Sequence, residues 1–365
     1  MEVPFKIPFY AKLALIFICI FSFVIIMHLG QYIIIPIVYA TIIAILLNPV
    51  VNYLTLKRVN KIIAISVAVT LATFVVLGIL YIVSTQVTMF SDTYPQLKEK
   101  FNATSNELIQ WISEKFNIRK VKIDEWIYEA ESEEINNFAI GEKLTEAGRM
   151  MVTVMLLPVY LFMILYYKPL LLEFSRKLFR AEYHIVVAEV LSNSKKIIQN
   201  YLVGLFFELI IIAVLYSAGL LLLGIDYAII LGITGAIVNI IPYIGKIIAI
   251  ALPMLIAFIT KDSLTCSVLV FCVYMFIQFV DSRYIIPKIV ASRVQINALI
   301  SVVVVLIGGA VWGISGMFLS IPLTAIIKVI FDHIEPLKPW GFLLGNIVPT
   351  TPKFYFVKQK NNLQV

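Results

Sequence analysis

Charge is what this chain has least of. Of its 365 residues only 14% are Asp, Glu, Lys or Arg and 61% are hydrophobic, with a mean hydropathy of +0.96. Soluble proteins average about 25% charged and roughly half apolar residues, so a water-soluble globular fold is excluded and a polytopic membrane protein remains. Cysteine and histidine are also scarce, three of each. Cys19, Cys266 and Cys272 lie in apolar runs, which excludes a disulfide framework or a zinc spacing and leaves core packing. His28, His184 and His333 are far apart and fit neither a metalloprotease signature nor a nucleophile elbow. No catalytic constellation, metal site or cofactor motif is read, and an enzyme is not expected. The net charge of +7 does not point to nucleic acid, because the basic residues are scattered through short connections. They read as topology signals and lipid-headgroup contacts.

What is present is a series of apolar runs. Lys6 and Lys12 precede the run 13–29, which is long for a signal-peptide core and lacks a small-x-small cleavage site, so an uncleaved first span is expected. After a short turn, 33–51 is the second span, with Asn48-Pro49 near its end, and 62–83 the third. Residues 84–149 carry twelve acidic and eight basic side chains. They read as a small acidic, soluble helical insertion, with a capping-box start at Thr104 and a second helix over 124–138. Residues 150–200 hold a fourth span, ending in the interfacial anchor Tyr166-Tyr167-Lys168, and a basic amphipathic linker. Residues 201–331 form the last unit and 332–365 a tail. With the Lys57 to Lys61 loop and the linker in the cytoplasm, both termini are inside and the insertion outside.

Within 201–331, a full span (202–223) is followed by a broken apolar pair (227–259), and another span (264–280) by a second broken pair (296–330). In the first pair Gly232 and Gly235 weaken the helix, and Pro242 removes a donor and clashes with the carbonyl four residues back. The Asn239, Pro242, Gly245 cluster is therefore an interruption at membrane depth. It marks either a packing kink or, since unpaired backbone is tolerated there only beside protein or a cavity, a binding site. Each broken piece falls short of the roughly 20 residues that cross hydrocarbon. The expected architecture is all-α: about six full transmembrane helices plus two re-entrant or broken hairpins. The two units run in opposite orientation, as an inverted repeat whose tips meet near the midplane.

The segment 239–245, NIIPYIG, resembles the signature of the AI-2E (autoinducer-2 exporter) transporter family. Residues 287–290 (PKIV), Gly308-Gly309, 312–317 (WGISGM) and 321–323 (IPL) are similar to its C-terminal signature, and 46–51 (LLNPVV) to its second-span motif. The resemblance covers nearly the whole chain and is weakest in the insertion. It implies a multispanning exporter, counted as eight spans, with two re-entrant hairpins. It also implies a homopentamer in the bacterial inner membrane, in which the hairpin-bearing part slides against an oligomeric scaffold. Substrates implied by the family are the quorum-sensing molecule autoinducer-2 or, for some members, sodium or lithium exchanged for protons. Lys246 stands where many relatives carry a proline or small residue, Asn297-Ala298 replaces a polar-proline pair, and Glu208 is an addition in the fifth span.

The candidate residues each carry two readings. Glu208 lies inside an apolar run, where an ionisable group is either a proton-coupling site or a neutral hydrogen-bond donor between helices. Lys246 either attracts an anionic or electron-rich solute or snorkels to a headgroup. Asn239 and Tyr243 suit a small polyhydroxylated molecule, or Asn239 caps the interrupted helix. Asp281 and Arg283 are two apart and face different ways, so interfacial anchoring is weighed against ion coupling for Asp281. Gly309 and Gly313 form a close-packing surface, while Gly316 and Pro322 mark the second break. With no nucleotide-binding motif, the expectation is a gradient-driven secondary transporter, an exporter of a small polar metabolite or signal. A cation/proton antiporter, disfavoured by the lack of a second deeply placed acid, and a non-transporting membrane scaffold are the alternatives.

Overall fold

The computed structural model describes residues 8–116, 155–261, 263–291 and 296–347. The expected second insertion helix over 124–138 and the start of the fourth span lie outside them, as does the tail beyond 347. Among the described residues every regular element is helical, apart from one isolated bridge between Ile296 and Gly345. Seven helices among the described residues are long and apolar enough to cross a bilayer, or eight if one bent pair counts as a single span. The chain is an all-α, multi-pass membrane protein.

α1 (Phe9–Leu29) is apolar all round and buries no residue, as befits a helix whose solvent is lipid. α2 (Gln31–Leu56) contains Pro36 and Pro49. Proline has no N–H to offer the carbonyl one turn back, and Pro49 thereby frees the Ile45 carbonyl, to which Gln199 Nε2 donates at 2.6 Å. α3 (Lys61–Phe116) is a single helix of 56 residues. The expected boundary near 83 is no break, and the pattern at Thr104 sits inside the helix rather than at a start. Pro95 is also accommodated within it.

α4 (Met155–Tyr166) bends by 63° into α5 (Lys168–Leu178), with a proline in the first turn of α5. α6 (His184–Leu222), 39 residues long, fuses most of the expected basic linker to the fifth span, because no proline interrupts it. Its buried residues Tyr201, Gly204, Glu208, Ile212, Tyr216 and Gly219 recur every three or four positions, so one stripe faces protein throughout.

α7 (Ala228–Asn239) and α8 (Ile244–Lys261) fold back on each other. A Cβ at Gly235 would touch the Ala249 carbonyl at 3.7 Å, and one at Gly224 would lie 4.0 Å from Lys261 Nζ, so the arms run antiparallel from the break to the base. α9 (Leu264–Val280) follows and continues as the π-helical stretches Asp281–Ile285 and Pro287–Ala291.

α10 (Ala298–His333) is formally one helix but turns sharply at Trp312 and Gly313, where φ of Gly313 is +60°. The backbones of Gly308 and Gly316 touch. In a continuous helix they would be about 12 Å apart, so this too is a hairpin. Asn297 caps its first arm by accepting from the Ile300 N–H at 2.9 Å and donates to the Leu343 and Gly345 carbonyls beside α11 (Lys338–Leu344).

The largest core joins α6, the α7/α8 hairpin and α9 around Ile212, Tyr216, Leu220, Val270 and Tyr274. A second, around Ala40, Ala44, Ile65, Ala68 and Leu161, joins α2, α3 and α4.

Candidate functional site

The first break is built by its sequence. α7 ends at Asn239, and the Ile240 and Ile241 N–H groups close short turns on the Ile237 and Val238 carbonyls. Pro242 cannot extend the ladder. Tyr243 then adopts φ +65°, uncommon for a residue with a Cβ, and the Ile244 N–H bonds the Pro242 carbonyl at 2.8 Å. Gly245 restarts the helix against the Val238 carbonyl, which any Cβ at that position would overlap. The result is a tip that aims Asn239 and Lys246 at the end of α9.

There they meet a buried polar cluster. Asp281 has no exposed side-chain surface, and Lys246 Nζ donates to its Oδ2 at 3.2 Å and to Ser282 Oγ at 3.1 Å. The Asn239 side chain also lies beside Asp281. Gln278, one turn earlier on α9, donates from Nε2 to Asn239 Oδ1 at 3.0 Å and to the Tyr216 hydroxyl. Tyr216 stacks on Tyr274 with ring centroids 4.1 Å apart. Glu208 is buried two turns before Tyr216 on the same stripe of α6, within electrostatic reach of Asp281 and Lys246. Within the protein, Asp281 Oδ1, Gln278 Oε1 and the Tyr274 hydroxyl have no hydrogen-bond partner among the described residues. Native structures pair most such buried atoms.

Several candidates therefore stand elsewhere than expected. Asp281 is not an interfacial anchor, since it is fully buried and paired, while Arg283 is exposed. Lys246 does not snorkel to a headgroup. Asn239 accepts from Gln278 rather than capping a helix, and Tyr243 points away, 47% exposed. The second hairpin does not join the cluster. Its tip is held at the last turn of α1, where Trp312 Nε1 donates to the Met27 carbonyl at 2.9 Å and His28 Nδ1 donates to the Val311 carbonyl at 2.8 Å. Gly309 packs on Met317, Gly316 on Gly308, and Phe318 stacks on Tyr39 of α2. Gly313 does not form a packing surface, since a Cβ there would meet nothing within 4 Å; it makes the turn itself, and Pro322 lies inside the second arm rather than at the break. The expected meeting of the two tips is replaced by separate seats, one on α9 and one on α1 and α2.

Sequence reading missed Gln278, Tyr216 and Tyr274. A signal was present: Gln278 is the one amide in the run 264–280, three residues before Asp281, and Tyr216 lies eight residues after Glu208. Replacing Gln278 with leucine leaves Asn239 and Tyr216 without their shared donor. The expected loss is about 1–3 kcal/mol, measured by reversible unfolding in detergent.

Membrane-crossing helices that enclose charge and amides at a broken helix are the build of a multi-pass protein with a transport role. The chain belongs to the AI-2E transporter family, whose profile matches residues 14–335. It is similar to the "AI-2 transport protein TqsA" of Escherichia coli (strain K12), 24% identical over 86% of this chain and 90% of that one. It is also similar to the "Putative transport protein YhhT" of the same organism, 22% identical over 89% and 91%. The match to the "Putative transport protein YrrI" of Bacillus subtilis (strain 168) is 31% identical but spans 37% of each chain. A further B. subtilis relative, YueF, is matched over 42% of its length.

Proposed function

We propose that this protein is a secondary transporter of the bacterial cytoplasmic membrane that moves a small polar solute outward, coupled to a proton or ion gradient. The observation that carries the reading is the buried cluster of Glu208, Asp281, Lys246, Asn239 and Gln278. Ionisable groups at membrane depth are costly and mark solute or proton pathways. The unpaired atoms of Asp281, Gln278 and Tyr274 are hydrogen-bonding capacity that a small polar solute would use. The name of TqsA supports an autoinducer-2-like solute. In this reading the α7/α8 pair and α10 are re-entrant hairpins opening to opposite sides, the termini are cytoplasmic, and the assembly is a homopentamer. Alternating access comes from movement of the hairpin-bearing part.

Sodium or lithium exchange for protons is a second reading, and one observation favours it. Asp281 supplies the second buried acid beside Glu208. A lysine bonded to one of two neighbouring carboxylates is a group that an incoming cation or proton would displace.

The test is flux into inverted vesicles and proteoliposomes, comparing autoinducer-2 uptake with sodium-dependent proton movement. Wild-type flux is expected to collapse with a protonophore, and Glu208→Gln is expected to abolish the part driven by the pH gradient. Equal, protonophore-insensitive flux in both proteins would overturn proton coupling. Correct assembly with no flux of either solute would favour the scaffold.

A further inference from the structure

We infer that a cavity of about 550 Å³ between α2, the α4/α5 elbow and the N-terminal half of α6 binds an anionic phospholipid, its phosphate on Lys168 and Lys195 and its acyl chains along the apolar walls. The cavity is remote from the cluster at the first break and shares no residue with it.

Three features of the site lead there. The first is charge. Lys168 and Lys195 both line the cavity, and both are half-buried. Among the described residues neither has a carboxylate within ion-pair distance, whereas Arg176, at the same rim, is already held by Glu173 at 2.7 Å. Burial and the nearby charges of Lys195 and Lys61 hold the Lys168 ammonium below the ordinary lysine range, as expected for clustered cations lacking a counter-ion.

The second is a built polar contact. Lys168 Nζ donates to Asn48 Oδ1 at 2.7 Å, which fixes the Asn48 amide. Its Nδ2 is then left buried without an acceptor, on a side chain only 5% exposed that lines the cavity. Two ammonium groups on one cavity, one of them held in place by Asn48, call for an oxyanion.

The third is the wall. Ile164, Leu165, Leu172 and Leu191 line the rest, and a free phosphate gains nothing from them. A phosphate diester carrying two acyl chains uses both halves. The elbow supplies the place: α5 turns aside from α4 by 63° next to Tyr166-Tyr167-Lys168, an aromatic and basic run of the kind that anchors at headgroup depth. Positive juxtamembrane side chains attract anionic lipid by electrostatics alone, so the test must separate this pocket from general surface charge.

The full chain, purified in detergent, is titrated with phosphatidylglycerol, phosphatidylcholine or glycerol phosphate, and bound molecules per protomer are counted by native mass spectrometry. Phosphatidylglycerol is expected to be retained, phosphatidylcholine and glycerol phosphate not. Lys168→Gln and Lys195→Gln should each weaken retention about fivefold, the worth of one juxtamembrane cation. Lys196→Gln removes the same charge from an exposed neighbour outside the cavity and should leave retention unchanged. Leu191→Trp, which fills the apolar wall and keeps every charge, should also lower it. Equal losses in Lys196→Gln and Lys195→Gln would reduce the effect to surface charge and overturn the site. Glycerol phosphate binding as tightly as phosphatidylglycerol would make it a free-phosphate site. Wild type that retains no phosphatidylglycerol would also overturn it. None of these outcomes depends on whether vesicles show transport.

Discussion

Lys246→Met is expected to destabilise the protein by about 3–5 kcal/mol, the usual cost of leaving one member of a buried ion pair alone. The partner left behind is Asp281, which has no exposed surface to take up water instead. Asp281→Leu should cost less, since the lysine left behind keeps Ser282 and is 28% exposed. The double variant Lys246→Met/Asp281→Leu should recover most of the stability, because apolar residues of similar volume often replace a buried pair at little cost. Reversible thermal or detergent-induced unfolding of all four proteins closes the cycle. Strictly additive losses would show that the two side chains do not stabilise each other. Flux through the double variant then separates folding from function: a stable protein that no longer transports places the pair on the pathway.

The second large effect belongs to the other hairpin. Gly308 and Gly316 hold the arms of α10 so close that a Cβ on either overlaps the backbone of the other. Gly316→Val therefore cannot be absorbed by a side chain stepping aside, and one arm must move. Overpacking of cores costs about 1–3 kcal/mol where side chains adjust, occasionally more, so a loss at or above the top of that range is expected. Monodispersity in detergent and the unfolding midpoint report it. Gly78→Ala on α3 is the control. A Cβ there meets nothing within 4 Å, and alanine is the better helix former by about 1 kcal/mol, so stability should hold or rise. Equal damage from both substitutions would mean that glycine matters for its backbone freedom and not for close approach.

The membrane class, the helical content and the two broken pairs were legible because they follow from composition and from the local chemistry of proline and glycine. Pro242 marks a turn where one was expected, and the second turn falls at Gly313, three residues before the expected Gly316. What was not legible came from tertiary pairing. Asp281 sits next to Ser282-Arg283 in a polar run that reads as an interface, and only the placement of α8 across α9 buries it against Lys246. Gln278 drew no notice as a lone amide in an apolar helix, because its worth depends on Asn239 and Tyr216, which lie 39 and 62 positions away. Helix ends were misread for a different reason. Thr104 carries a capping pattern, but a helix already running through that point offers no free N–H groups to cap. The linker before the fifth span looked separate because its surface is polar, although continuity of a helix is a matter of backbone and not of the solvent it meets.

That continuity gives α6 a mechanical character. At 1.5 Å per residue its 39 residues make a rod of about 58 Å, nearly twice the hydrocarbon thickness of a bilayer. Lys195, on the wall of the lipid cavity, and Glu208, beside the ion pair, sit about 20 Å apart on this one rod. Sharp bends in helices arise at proline, at glycine pairs or at inserted groups, and α6 has no proline between the two positions to absorb a tilt. The cavity wall and the buried charges therefore share one continuous element with no proline hinge between them.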